Sequence, residues 1–209
     1  MTLEEIDIPD HQLMGLRFED VIKKLADKTV LEYDDNTSKL EPLITWLKER
    51  AKEFVDAEKD KEYKARNNEI GIDIQNNFFE ALNKSIKDGW TINKSSKGYP
   101  DYIFEKDDCN DLYLECKAYE RISQSESKEQ DTLRSFYLSP SVKETVKKDG
   151  YHFVIGFEFT KDDSDMKYNI TKCTIIDSHS LSELKLKFEF NTNNKHMYSS
   201  KKIYIYLPT

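Results

Sequence analysis

The feature that most constrains the fold is a change of hydrophobic period at Gly89. Up to that residue, NEIGIDIQNNFFEALNKSIKDG (68–89) sets Phe78, Phe79, Leu82 and Ile86 on one side of a helix, with Glu69, Asp73 and Glu80 opposite. Glycine is a natural close for such a helix. Beyond it, WTINKSS (90–96), DYIFEK (101–106) and DLYLECKAYE (111–120) read as strands. A chain that runs from an amphipathic helix straight into several strands has to lay helices on a sheet.

The flanking segments agree. RFEDVIKKLAD (17–27) predicts a short helix. In LEPLITWLKERAKEFVDAEKDKEYKARNN (40–68), Leu40, Leu43, Ile44, Leu47, Ala51, Phe54 and Val55 recur at helical spacing and predict one long amphipathic helix. Its Lys/Glu-rich second half reads as a solvated face or a surface for a second subunit. LRSFYLSPSVKETVKKDG (133–150) predicts a loop and then a helix, begun by Ser139 or Ser141 and stopped at Gly150. YHFVIGFEFT (151–160) and YNITKCTIID (168–177) predict two further strands. The expected fold is α/β, a mixed sheet flanked by helices. Residues 1–66 would be an N-terminal helical arm and 67–209 the core with a C-terminal extension, together one domain, as suits 209 residues.

The net charge of −8 gives no general attraction to nucleic acid or anionic lipid, so any such contact must come from a local basic cleft. Aromatic residues at 12% predict packing, not disorder. Cys109, Cys116 and Cys173 lack metal-ligand spacing, and their odd number fits reduced thiols. The acidic start MTLEEIDIPD and the lack of any apolar run near ~20 residues predict a soluble cytoplasmic protein with no membrane span. No glycine-rich phosphate loop is present, so no nucleotide cofactor is expected.

Chemistry concentrates in LYLECKAYE. Alternation puts Leu112, Leu114, Cys116 and Ala118 on a core face and Tyr113, Glu115, Lys117 and Tyr119 on the other. A hairpin through KDDCND (106–111) would make this strand the neighbour of DYIFEK, so that Asp101 approaches Glu115. Two convergent carboxylates suit a hard divalent cation such as Mg²⁺. A lysine beside them would hold or help deprotonate an attacking water and offset charge developing on a phosphate. The same E-x-K or D-x-K spacing occurs at Glu62/Lys64, Glu126/Lys128, Asp165/Lys167 and Glu183/Lys185, and a second Pro-Asp at Pro9-Asp10. Only Glu115/Lys117 lies in an alternating strand one hairpin after a Pro-Asp that itself begins a strand.

Pro100-Asp101, thirteen residues, then Glu115-x-Lys117 resembles the signature of the PD-(D/E)xK nuclease superfamily, and most of all a type II restriction endonuclease. The resemblance covers roughly residues 67–160. It implies a restriction-endonuclease-like core, with Asp101 and Glu115 as metal ligands, the Cys116 carbonyl as a possible third, and Lys117 orienting or activating water. It further implies Mg²⁺-dependent cleavage of double-stranded DNA at a specific, palindromic sequence, leaving 5′-phosphate and 3′-hydroxyl ends, by a homodimer. Many members also use an acid from the helix before the first strand. Glu69, at the beginning of that helix, is the first candidate and Glu80 the second; spacing does not decide between them, because both lie on one polar face. The N-terminal arm would serve dimerisation or clamp DNA.

Other residues read more plainly. His11, His152, His179 and His196 show no metal spacing, and His152 heads an apolar strand as a strand-end residue. Gln75 falls on the apolar side of its helix, as a buried hydrogen-bonder or a residue reaching the site. The tail NTNNKHMYSSKKIYIY (191–206), the loops at 84–98 and 120–141, Arg121 and Arg134 are candidate DNA contacts. Two rival readings remain: a repair, recombination or phage-type nuclease of the same superfamily, and a non-catalytic α/β binding protein with an edge Glu/Lys pair.

Overall fold

The computed structural model describes residues 17–34, 39–63, 67–86, 88–95, 98–122, 138, 141–179 and 181. Its elements are α1 (Phe18–Ala26), β1 (Val30–Leu31), α2 (Glu41–Ala57), β2 (Lys61–Glu62), α3 (Asn67–Ser85), β3 (Thr91–Lys94), β4 (Tyr102–Glu105), β5 (Asp111–Glu120), α4 (Val142–Thr145), β6 (Gly150–Asp162) and β7 (Lys167–Asp177). The period change at Gly89 is thus a real change of structure. Asp88 and Gly89 both take positive φ there, at 60° and 75°, a turn that the glycine enters without steric penalty.

Among the described residues the sheet runs β2-β7-β6-β5-β4-β3, and β1 adds to β6. The hairpin through 106–110 pairs β4 with β5 antiparallel, Tyr102 opposite Leu114 and Phe104 opposite Leu112. β5 and β6 run parallel from Asp111↔Gly150 to Glu120↔Phe159. A parallel pair needs a crossover, which residues 121–149 supply. β6 and β7 are antiparallel, so the sheet is mixed, as the residue pattern predicted. It is flanked by helices in a restriction-endonuclease-like arrangement.

Burial explains why β5 and β6 lie in the middle. The first six residues of β5 and the first ten of β6 are buried on both faces. One face packs under α2 and α3: Leu43, Ile44, Leu47 and Phe54 with Ile70, Ile74, Phe78 and Leu82 close on Leu112, Leu114, Ile155 and Phe157. Each such side chain contributes roughly 2 kcal/mol of transfer free energy. Phe54, Phe78 and Phe157 form a three-ring contact with centroids 4.9–5.3 Å apart. On the other face Phe18, Ile22, Val30, Tyr99, Tyr113, Val142 and Val146 form a second cluster, bringing α1 and α4 against the sheet.

Three expectations need correction. The long helix from 40 stops at Ala57, and Lys61–Glu62 pair with Tyr168 and Lys167 as an edge strand. Tertiary contacts override the helical pattern here: Glu58 is buried, its carboxylate accepts a hydrogen bond from the Tyr168 hydroxyl at 3.2 Å, and Asp60 takes φ 51°. Second, the helix before β6 is one turn, starting after Ser141; Ser139 lies outside the described residues. Gly150 does not stop it but begins β6 between β5 and β1. A Cβ there would meet the Asp111 carbonyl oxygen at 2.5 Å and Tyr113 Cε2 at 2.8 Å, so close packing demands glycine. Third, His152 is not a strand-end residue. It is wholly buried in β6.

Candidate active site

β5 alternates as the sequence predicts. Leu112, Leu114 and Cys116 join the main core, whereas Tyr113 and Tyr119 belong to clusters on the opposite face, with Glu115 and Lys117 between them. Lys117 Nζ donates to Glu115 Oε1 at 2.6 Å, with side chains only 13% and 7% exposed. The other oxygen, Glu115 Oε2, is buried with no hydrogen-bond partner.

Asp101 sits at the entrance to β4, one residue before the pairing with β5 starts. The Cys116 N–H donates to Asp101 Oδ2 at 2.7 Å, which ties this carboxylate to the strand carrying Glu115 and Lys117. Burial raises the Asp101 carboxyl above its ordinary range, against the Cys116 N–H, the Lys117 charge, the Gln75 side chain and Lys94, which pull it down. Burial likewise pushes Glu115 up to about 7; the Lys117 charge opposes this and the Asp101 charge adds to it. Two acids and one lysine in a dry place leave an excess of negative charge, which burial makes costly. The unpartnered Oε2 and that excess are what a hard cation with oxygen ligands relieves, so the donor set fits Mg²⁺.

The helix-borne residue that reaches this site is Gln75. Its side chain is a polar neighbour of Asp101 that favours the ionised carboxylate, and its backbone carbonyl accepts from the Tyr102 hydroxyl at 2.6 Å. Among the described residues no cluster of three His, Cys, Asp or Glu side chains is poised to hold a metal. Glu80 is exposed on α3, and Glu69 has a buried, unpartnered Oε2. Helical geometry accounts for this. Gln75 lies about 120° around α3 from Glu69 at 100° per residue. The sequence held this signal, a polar side chain on the apolar side of an amphipathic helix.

A buried polar pair backs the segment from behind. Tyr99, two residues before Asp101, shares a 2.7 Å hydrogen bond between its hydroxyl and His152 Nδ1, and its carbonyl accepts from Thr145 Oγ1 at 2.8 Å. Burial pushes the His152 imidazole down to about 3, so the ring is neutral. Cys116 is a buried thiol with its pKa driven well up by burial, consistent with a core side chain. Arg121 extends the β5 ladder through its N–H to Phe159 O at 2.8 Å, and its guanidinium faces Glu158 at 3.7 Å. Arg134, His11, His196, most of the 120–141 loop and the tail at 191–206 lie outside the described residues.

A mixed sheet flanked by helices, with Pro100-Asp101 at the entrance to β4 beside Glu115-x-Lys117 on β5, defines a nuclease of the PD-(D/E)xK superfamily. The particular branch follows from comparison of the whole chain. It belongs to the type II restriction enzyme MjaV family, whose family model matches residues 12–201. No curated protein matches the chain. The protein is therefore a hydrolase of a restriction system, a sequence-specific endonuclease acting on DNA. No helix among the described residues is long and apolar enough to cross a membrane.

Proposed function

We propose that Asp101, Glu115 and Lys117 form the catalytic centre of this restriction enzyme. In this reading it is a Mg²⁺-dependent homodimer that cuts both strands of a palindromic DNA site. The observation that carries the proposal is the buried, unpartnered Glu115 Oε2 beside a carboxylate held on the Cys116 N–H. Asp101, Glu115 and the Cys116 carbonyl would hold the ion, which would supply Lewis-acid stabilisation of charge on the scissile phosphate. Lys117, now donating to Glu115, turns one of its three N–H donors to the attacking water and another to the phosphate oxygen that gains charge. Gln75 keeps Asp101 aligned. Water adds to phosphorus, the P–O3′ bond breaks and a proton ends on O3′, leaving 5′-phosphate and 3′-hydroxyl ends.

A palindrome presents the same phosphodiester twice about a two-fold axis, and one such centre per chain cuts both strands only as a symmetric pair. The N-terminal helices are assigned to that pairing or to clamping the duplex. The test is incubation of the enzyme with plasmid DNA, with and without Mg²⁺, followed by sequencing of the cut ends and sedimentation with a cognate duplex. Cutting in EDTA, or 3′-phosphate ends, would overturn the mechanism. A monomer on the cognate duplex would overturn the symmetric arrangement.

A further inference from the structure

We infer that Lys94, steadied by Asn76, is a phosphate-binding subsite at the rim of the active site, engaging the DNA backbone beside the bond that is cut. The inference rests on the catalytic reading above. Register puts the lysine there: Lys94 at the end of β3 pairs with Tyr102, and the Ser95 N–H donates to the Asp101 carbonyl at 2.9 Å. The ammonium is therefore neighbour to the segment that carries the first catalytic acid, and its charge is felt at the Asp101 carboxyl.

An exposed lysine has a flexible stem and ordinarily wanders. This one is held twice. Lys94 Nζ donates to Asn76 Oδ1 at 2.5 Å and lies 5.8 Å from the centre of the Phe79 ring, which itself stacks on Tyr102 at 5.5 Å. Adjacent residues of α3 thus serve the two sides of the site, Gln75 holding the carboxylate and Asn76 the ammonium.

The choice of holder points to an anion from outside. Lys61, Lys117, Lys148 and Lys161 are each paired with a carboxylate, which cancels their charge. Asn76 orients Lys94 without neutralising it, and takes one of its three donors. In a chain of net charge −8, an ammonium held by an amide and not by a carboxylate ion pair is a place for a polyanion to dock. A phosphodiester is the anion this enzyme meets.

The experiment is binding of a fluorescent DNA duplex of arbitrary sequence, without divalent metal, across a series of KCl concentrations. Lys94→Met should lower the slope of log K against log[KCl] by about 0.9 for each Lys94 that engages the duplex. Lys94→Arg should restore it, and the loss should be equal for cognate and arbitrary sequences, since phosphates carry no sequence. An unchanged slope in a folded Lys94→Met protein overturns the subsite, and so does a loss confined to cognate DNA. Asp101→Asn separates the two ideas, because it should abolish cutting and leave the slope as it was. If Asp101→Asn still cuts while the Lys94→Met slope falls, the catalytic reading fails and the subsite loses its place beside the cut bond.

Discussion

The Cys116 backbone N–H donates a 2.7 Å hydrogen bond to the Asp101 carboxylate across the β4–β5 hairpin. The bond locks the acid from one strand onto the other, which carries Glu115 and Lys117 on the side chains flanking Cys116. Two acids and a lysine from two neighbouring segments are thereby tied into one unit. Charge-assisted bonds of this kind are short and about twice as strong as neutral ones.

Removing charge from that unit should stop chemistry and spare the fold. Asp101→Asn and Lys117→Met are expected to reduce plasmid cleavage by ~10²–10³-fold or more, the range for losing a group that stabilises transition-state charge. Circular dichroism should be unchanged. Glu80→Gln and Glu69→Gln are expected to keep cutting, because Gln75 is the α3 side chain at Asp101. Full activity in both Asp101→Asn and Lys117→Met would refute the assignment.

Keeping Glu115 ionised in the fold costs stability. Its carboxyl is raised from 4.5 to about 7 in the fold, chiefly by burial. A raised folded pKa means the folded state binds the extra proton between pH 4.5 and about 7, so stability from this group is full below 4.5 and lost as pH rises through 7. Glu115→Gln should therefore be more stable than the parent at pH 8 by on the order of 3 kcal/mol in EDTA, with no difference at pH 4. Its cleavage activity should be gone. Urea unfolding at the two pH values decides the matter.

His152 works in the opposite sense. Burial depresses its folded value to about 3 from 6.5, so only the unfolded chain takes the proton between those limits. The parent should lose stability as pH falls below 6.5, by on the order of 3 kcal/mol at pH 4 from this group alone. His152→Gln, which retains an acceptor for the Tyr99 hydroxyl, should show a flatter profile by that amount. Identical pH slopes for parent and variant would contradict a neutral buried imidazole.

Two glycines should answer alanine differently. At Gly150 the new methyl would lie 2.5 Å from the Asp111 carbonyl oxygen, and the expected loss is about 2–3 kcal/mol. At Gly71 in α3 it would meet Ala118 Cβ at 3.9 Å, an ordinary contact, and helix propensity predicts a gain of up to about 1 kcal/mol. Thermal unfolding of Gly150→Ala and Gly71→Ala gives both numbers. Equal melting points would show that β6 tolerates the displacement.

Features that follow a repeating pattern were legible in the residues alone. Period-two alternation in DLYLECKAYE gave the two faces of β5, and the turn residues before it gave the hairpin that brings Asp101 to Glu115 and Lys117. Helical spacing gave α1, the first part of α2 and α3. The tertiary structure alone decided the rest. Strands of two residues, such as β1 and β2, have no period to read, and the buried Glu58–Tyr168 contact overrode the helical spacing beyond Ala57. Gln75, Lys94 and His152 gained their places from contacts to Asp101, Asn76 and Tyr99, 18 to 53 residues distant along the chain for the latter two pairs. Such contacts depend on which elements pack together, and no local period encodes that.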